Sequence, residues 1–250
     1  MSAVVIIPAR YSSTRFPGKP LALLNDKPLI QHVYENSKGS RLASDVIVAT
    51  DSKRILKKVL SFGGKAVMTS KSHVSGTDRI AEVASGTNYD IIVNVQGDEP
   101  LIRPQMIDAV IELLADKRAS IGTLAKKIES PKEILDPNVV KVTFDAEGFA
   151  LYFSRAPIPY HRQEWKNLKT LTGSHFTVYK HIGIYSYRKD VLMKLSRLKP
   201  SALEQIEKLE QLRALENGMR IKVGETEFQT IGVDTPEDIE RVKRCLNLSL

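Results

Sequence analysis

Four short apolar runs, at residues 3–8, 46–50, 66–69 and 91–96, are separated by segments with helical spacing, and this alternation restricts the possible folds more than any other feature. A run of that length without polar alternation reads as a strand buried on both faces, and parallel neighbours of that kind need a crossover between them. The first crossover, residues 28–38, carries Leu29, Ile30, Val33 and Tyr34 on one face, with Gly39 as its C-terminal stop. Ser52 is placed to cap the next helix, whose stripe of Ile55, Leu56, Val59 and Leu60 ends at Gly63-Gly64. A third short helix follows Ser75-Gly76-Thr77, and Pro104 opens a fourth with Ile107, Val110, Ile111 and Leu114 facing inward. The pattern predicts an α/β fold built on a doubly wound, mostly parallel sheet.

The rhythm changes in the middle third. Residues 139–144 and 149–154 flank Asp145-Ala146-Glu147-Gly148, a hairpin signal, and residues 178–187 read as another long strand. Residues of about 130–190 are therefore expected to form a small antiparallel excursion from a single domain spanning 1–250. Helical spacing returns over 202–217 through Leu203, Ile206, Leu209, Leu212 and Leu215, and Gly218 ends it. A last strand near 230–233 is expected to lead into Thr235-Pro236-Glu237-Asp238 and a closing helix. With 250 residues, 42% of them hydrophobic, the chain can bury one sizeable core.

No stretch approaches the ~18 apolar residues of a membrane span, and the N-terminus lacks a basic leader, so a cytoplasmic protein without membrane insertion is expected. The single cysteine, Cys245, precludes an intramolecular disulfide and suits a reducing compartment. The net charge of +8 fits nucleic acid or small anionic substrates. Aromatic residues make up only 6% and no basic cluster is interleaved with stacking rings, which argues against nucleic acid.

In an open α/β sheet, ligands bind at the carboxyl ends of the strands. The loop after the first strand, Pro8-Ala9-Arg10-Tyr11-Ser12-Ser13-Thr14-Arg15-Phe16-Pro17-Gly18-Lys19-Pro20, presents three cations there. It is neither a dinucleotide loop nor a Walker A loop, since G-x-G-x-x-G is absent and Gly18-Lys19 is followed by proline. Arg10, Arg15 and Lys19, with the hydroxyls of Ser12, Ser13 and Thr14, suit a triphosphate as well as they suit a solvated basic loop. The fourth strand ends in Gln96-Gly97-Asp98-Glu99-Pro100, where Gly97 permits close backbone approach and Asp98 offers a hard oxygen to magnesium. In Val233-Asp234-Thr235-Pro236-Glu237-Asp238, Thr235, Pro236 and Asp238 account for a helix start, and that scheme has no use for Asp234. Two carboxylates at separate strand ends with a triphosphate between them are the minimal equipment for metal-assisted phosphoryl chemistry.

The five histidines show no metal-ligand spacing; His32 reads as structural and His181 as a candidate substrate contact. Glu204, Glu207 and Gln211, with Glu210 adjoining them, form a stripe that is either a solvated face or a set of partners for sugar hydroxyls. The chain has no D-x-D motif, which disfavours a metal-dependent glycosyltransferase.

The runs IIPARYSSTRFPGKPL, VATD, HVSGTDRIAE, VNVQGDEP, NVVKV, ALYFSRAPIP, HIGIYSYR, LEQIEKLEQLR and GVDTPEDIERV together resemble, in order and over nearly the whole chain, the 3-deoxy-manno-octulosonate (Kdo) cytidylyltransferases. The resemblance implies transfer of CMP from CTP to Kdo with release of pyrophosphate, activating the sugar for lipopolysaccharide assembly. It also implies bound Mg2+ and a homodimer with part of the excursion at its contact. By position it assigns Arg10, Arg15 and Lys19 to phosphates and Asp98 and Asp234 to Mg2+. Ala9, Arg10, Ser75, Gly76, Arg79 and Gln96 fall on the nucleotide side. His181, Tyr185, Glu207, Glu210 and Gln211 fall on the sugar side, with Arg155 as a partner for the sugar carboxylate. A related acid sugar such as 8-amino-Kdo, and a non-enzymatic nucleotide-binding module, are the alternative readings.

Overall fold

The computed structural model describes residues 1–12, 16–162 and 177–247. Strand β1 (Ala3–Ala9) leads through a 3-10 turn at Lys19–Leu21 and a two-strand ribbon, β2 (Leu23–Leu24) with β3 (Lys27–Pro28), into α1 (Leu29–Lys38) and β4 (Ala43–Thr50). The first half continues with α2 (Lys53–Ser61), β5 (Ala66–Met68), α3 (Gly76–Ser85) and β6 (Ile91–Asn94). Next come α4 (Pro104–Leu113), β7 (Ile121–Lys127), α5 (Pro131–Leu135) and the hairpin β8 (Lys141–Phe144) and β9 (Ala150–Ser154). The chain closes with β10 (Tyr179–Arg188), α6 (Lys189–Leu195), α7 (Ala202–Glu207), α8 (Gln211–Glu216), β11 (Ile221–Glu225) and α9 (Pro236–Asn247).

The main sheet runs β11-β7-β10-β6-β1-β4-β5. All neighbours among β6, β1, β4 and β5 are parallel, as is β11 with β7, while β10 lies antiparallel between β6 and β7. Both faces are covered, as the unbroken apolar runs require. Val5 and Ile7 of β1 pack with α1, α2 and α4 through Ile30, Val33, Ile55, Val59, Ile107 and Val110. Val4 and Ile6 face the other way, onto α3, α6 and α8 through Ile80, Val83, Leu192, Leu195 and Leu212. The doubly wound α/β sheet expected from the sequence is thus present. Among the described residues, no helix is long and apolar enough to cross a membrane.

Several expectations need correction. The strand at 178–187 exists as β10, but it is built into the centre of the main sheet, so less of 130–190 projects from it than expected. Residues 163–176 of that span lie outside the described residues. Among the described residues no strand forms near 230–233, and the Val233 N–H donates to the Asp98 carbonyl at 2.9 Å. The helix expected over 202–217 is two helices, because Lys208 turns left-handed (φ 54°) and caps α7 with its N–H on the Glu204 carbonyl. The break leaves Ile206 77% exposed, whereas Leu209 and Leu212 enter the core. Gly39 does follow α1, but in right-handed conformation (φ −73°); a Cβ there would stand 2.6 Å from Pro104 Cγ, so helix packing requires the glycine.

β4 and β6 flank β1 on opposite sides, so the chain reverses direction across the sheet at the carboxyl ends of β1 and β6. A crevice opens at such a switch point. Gly97 lets its two walls meet, since a Cβ there would sit 2.8 Å from the Pro8 carbonyl oxygen. Gly97→Ala is therefore expected to push the two loops apart, lowering stability by about 1–3 kcal/mol and reducing turnover in the folded fraction. Thermal unfolding and steady-state kinetics on the purified variant check both outcomes.

Candidate active site

The loop after β1 closes on itself, with the Gly18 N–H donating to the Tyr11 carbonyl at 2.9 Å and buried Pro20 anchoring the 3-10 turn. This closure returns Lys19 Nζ to 2.6 Å from Asp98 Oδ2 and 3.3 Å from Asp234 Oδ1. Asp98 is carried there by β6. Asp234 is carried there by the Val233–Asp98 backbone bond and by the start of α9, where Asp238 Oδ2 accepts from the N–H groups of Asp234 and Thr235 at 3.0 Å each. The cap thus uses Asp238 and Thr235 and leaves the Asp234 carboxylate facing Lys19, as the sequence implied. Lys19, expected at a phosphate, holds the two carboxylates together. Arg15, Ser13 and Thr14 lie outside the described residues. Half-buried Glu99 follows Asp98, and burial together with the Asp98 charge pushes its carboxyl up to about 8. Near neutral pH, Glu99 is mostly uncharged.

This cluster forms one wall of a cleft of about 300 Å³ whose lining includes Ala9, Arg10, Ser75, Gly76, Arg79 and Gln96. Every nucleotide-side residue expected from the sequence is therefore in one place. Ser75 caps α3 through a capping box, its Oγ accepting from the Asp78 N–H at 3.1 Å, so the positive end of that helix dipole faces the cleft. Buried Arg79 donates from Nη2 to Asp51 Oδ2 at 2.9 Å and from Nη1 to Thr69, which braces the wall and uses much of its donor capacity.

A second pocket, of about 190 Å³, is lined by Asn94, Gln96, Tyr185, Tyr187, Glu210 and Gln211 among others. Gln96 belongs to both. Of the expected sugar-side residues, Tyr185, Glu210 and Gln211 line this pocket. His181 stands behind Tyr185, with ring centroids 5.3 Å apart, and meets Phe153 edge-on at 5.1 Å. Thr123 Oγ1 donates to the Ile184 carbonyl at 2.8 Å and lies 2.9 Å from His181 Nε2. Burial pushes the His181 pKa down to about 3.

Arg155 and Glu207 are not among the residues lining this pocket. Glu207 Oε1 accepts from Ser154 Oγ at 2.6 Å and Oε2 from the Arg155 N–H at 2.9 Å, while Arg155 donates to the carbonyls of Glu207 and Pro137. The two residues fasten α7 to the end of β9. Asn94 and Tyr187 line the pocket without having been singled out from the sequence. Asn94, as a polar ending to the apolar run Ile91-Ile92-Val93, was the available signal.

Residues 4–221 match the family model described as Cytidylyltransferase. The 3-deoxy-manno-octulosonate cytidylyltransferase of Thermodesulfovibrio yellowstonii is 55% identical over 99% of each chain. The chain belongs to the 3-deoxy-manno-octulosonate cytidylyltransferases. The enzyme of that name from Geobacter sulfurreducens is also 55% identical, over 97% of this chain and 98% of its own. A solved structure of CMP:2-keto-3-deoxy-manno-octonic acid synthetase complexed with CTP superposes with a TM-score of 0.91 at 44% identity, all of each chain being covered. A glucose-1-phosphate thymidylyltransferase from Bacillus anthracis, described as putative in name, has a TM-score of 0.65 at 16% identity and shares the fold.

The buried state of His181 in this cytidylyltransferase has a pH signature. Its folded pKa, about 3, lies below the ordinary 6.5, so the unfolded chain takes up a proton that the folded chain refuses, and stability falls as pH drops from about 6.5 toward 3. His181→Asn is expected to flatten the pH dependence of the unfolding midpoint between pH about 6.5 and 4.5 relative to the parent. Imidazole nitrogen NMR should show His181 of the parent neutral throughout that interval.

Proposed function

We infer that this enzyme transfers the cytidylyl group of CTP to Kdo, forming CMP-Kdo and pyrophosphate. The observation that carries the reading is the convergence of Lys19, Asp98 and Asp234 on a cleft that shares Gln96 with a polar second pocket, in a chain of this family. CTP occupies the cleft against the first turn of α3, and Kdo occupies the pocket bounded by Tyr185, Glu210 and Gln211. The 2-hydroxyl of Kdo gives up its proton to solvent and its oxygen forms a bond to the α-phosphorus while the bond from that phosphorus to the bridging oxygen breaks, and the electron pair leaves with pyrophosphate. Arg10 and Lys19, with Arg15 from the same loop, neutralise the charge that develops on the departing oxygens. Holding the two substrates in line across Gln96 supplies a further large part of the acceleration.

Asp98 and Asp234 fit Mg2+: they are hard oxygen donors from different segments and already hold a cationic ammonium between them. Among the described residues no group of three or more His, Cys, Asp or Glu side chains converges, so water and phosphate oxygens would fill the remaining positions. When bound, the ion lowers the pKa of a coordinated hydroxyl and polarises phosphate oxygens. His181 is not poised as the base, because its pKa lies far below neutrality. Its role is that of a neutral support behind Tyr185. CTP as substrate and a single cysteine favour the cytoplasm, and the same reading has the enzyme act as a homodimer supplying activated Kdo for lipopolysaccharide.

Pyrophosphate release measured with each nucleoside triphosphate and a panel of acid sugars tests the reaction. CTP with Kdo is expected to exceed other pairs by about 100-fold in kcat/KM, and a stronger signal with 8-amino-Kdo would change the sugar. Asp98→Asn and Asp234→Asn are expected to lose about 4 kcal/mol or more of transition-state stabilisation while remaining folded by circular dichroism. Lys19→Ala should also lower turnover. Lys57→Ala, on the exposed face of α2, should not.

A further inference from the structure

We propose that Thr77 is a positioning residue that ties the nucleotide side of the site to its sugar side. Thr77 is the second residue of α3, directly after Ser75 and Gly76 of the nucleotide cleft, and is 1% exposed. Its Oγ1 donates to Glu210 Oε2 at 2.5 Å across 133 residues of sequence. Glu210 begins the last turn before α8 and lines the second pocket. The first turn of α3 thus touches both the nucleotide cleft and the second pocket.

The other carboxylate oxygen, Oε1, is buried without a hydrogen-bond partner, and Arg213 Nη2 stands 3.7 Å away. A buried acceptor without a donor is costly to keep, and a sugar hydroxyl is a donor of the right kind. With Oε2 fixed by Thr77, Oε1 can take only a narrow range of orientations. Asn94 and Tyr187 line the same pocket, and Asn94 Oδ1 accepts from Nε2 of Gln96, the residue common to both pockets, at 3.5 Å. The Thr77 hydroxyl therefore fixes one wall of the second pocket relative to the helix that holds the nucleotide. The sequence concealed this role, because Thr77 reads as an ordinary first-turn residue of a capped helix.

The proposal rests on the reading of the second pocket as the Kdo site, and its test separates the two. Thr77→Val keeps the shape and removes the donor; Thr77→Ser keeps the donor. Thr77→Val is expected to raise KM for Kdo about tenfold, with the calorimetric Kd for CTP changed by less than about twofold. Thr77→Ser should return KM to within about threefold of the parent. Glu210→Gln should also raise KM for Kdo, and adding Thr77→Val to it should cause little further loss, since one removes the partner of the other. Should Thr77→Val fail to accumulate folded, Thr77→Ala replaces it as the donor-less variant. If KM for Kdo rises in Glu210→Gln but not in Thr77→Val, the positioning role is wrong and the pocket reading stands. If neither variant moves it, the pocket reading fails and the proposal with it. Equal losses of CTP and Kdo binding, or additive losses in the double variant, also overturn the proposal.

Discussion

The architecture of the site depends on one ammonium group held by two carboxylates. Asp98 and Asp234, 79 and 215 residues from Lys19 in sequence, converge on its Nζ at 2.6 and 3.3 Å. Two carboxylates brought together repel unless a cation lies between them. The surrounding chain serves that meeting. The close approach at Gly97 brings β6 to the first loop, the Val233–Asp98 backbone bond delivers the second carboxylate, and Val233, Ile239 and Val242 bury the base of α9 against Leu24 and Leu29.

A different constraint places the second pocket. β10 enters the sheet antiparallel beside β6, in a register that sets Tyr185 opposite Asn94 and Tyr187 opposite Ile92. Side chains of opposed strand residues emerge on the same face, so the tyrosines and Asn94 share a surface next to the nucleotide cleft. A register shift between Ile182 and Tyr185 leaves Gly183 and Ile184 without partners in the β7 ladder, while His181, paired with Ala125, sets its Nε2 2.9 Å from Thr123 Oγ1. The placement of these side chains thus follows from strand order and one irregularity.

Much of this was legible in the sequence, for local reasons. The first four strands are apolar runs with clear punctuation, and Asp234 stood out because the cap chemistry of α9 left it without a task. β7 and β11 escaped notice because Gly122, Thr123, Lys222 and Gly224 interrupt their apolar pattern. Residues 230–233 have strand-like composition, yet strand formation is decided by available partners, and among the described residues no strand forms there. The engagement of Glu207 with Arg155 spans 52 residues and leaves no local trace in the sequence. The break between α7 and α8 was hidden for a similar reason, since the apolar period continues across a left-handed lysine that no glycine or proline announces.

That break divides responsibilities along a short stretch of chain. Up to Glu207 the side chains hold α7 to β9, through Ser154 and Arg155. From Glu210 onward they face the second pocket, with Leu212 and Ala214 as the buried base beneath them. Lys208 is therefore a seam: the chain before it is tied to β9 and the chain after it is set by the core, so a change on one side leaves the contacts of the other in place.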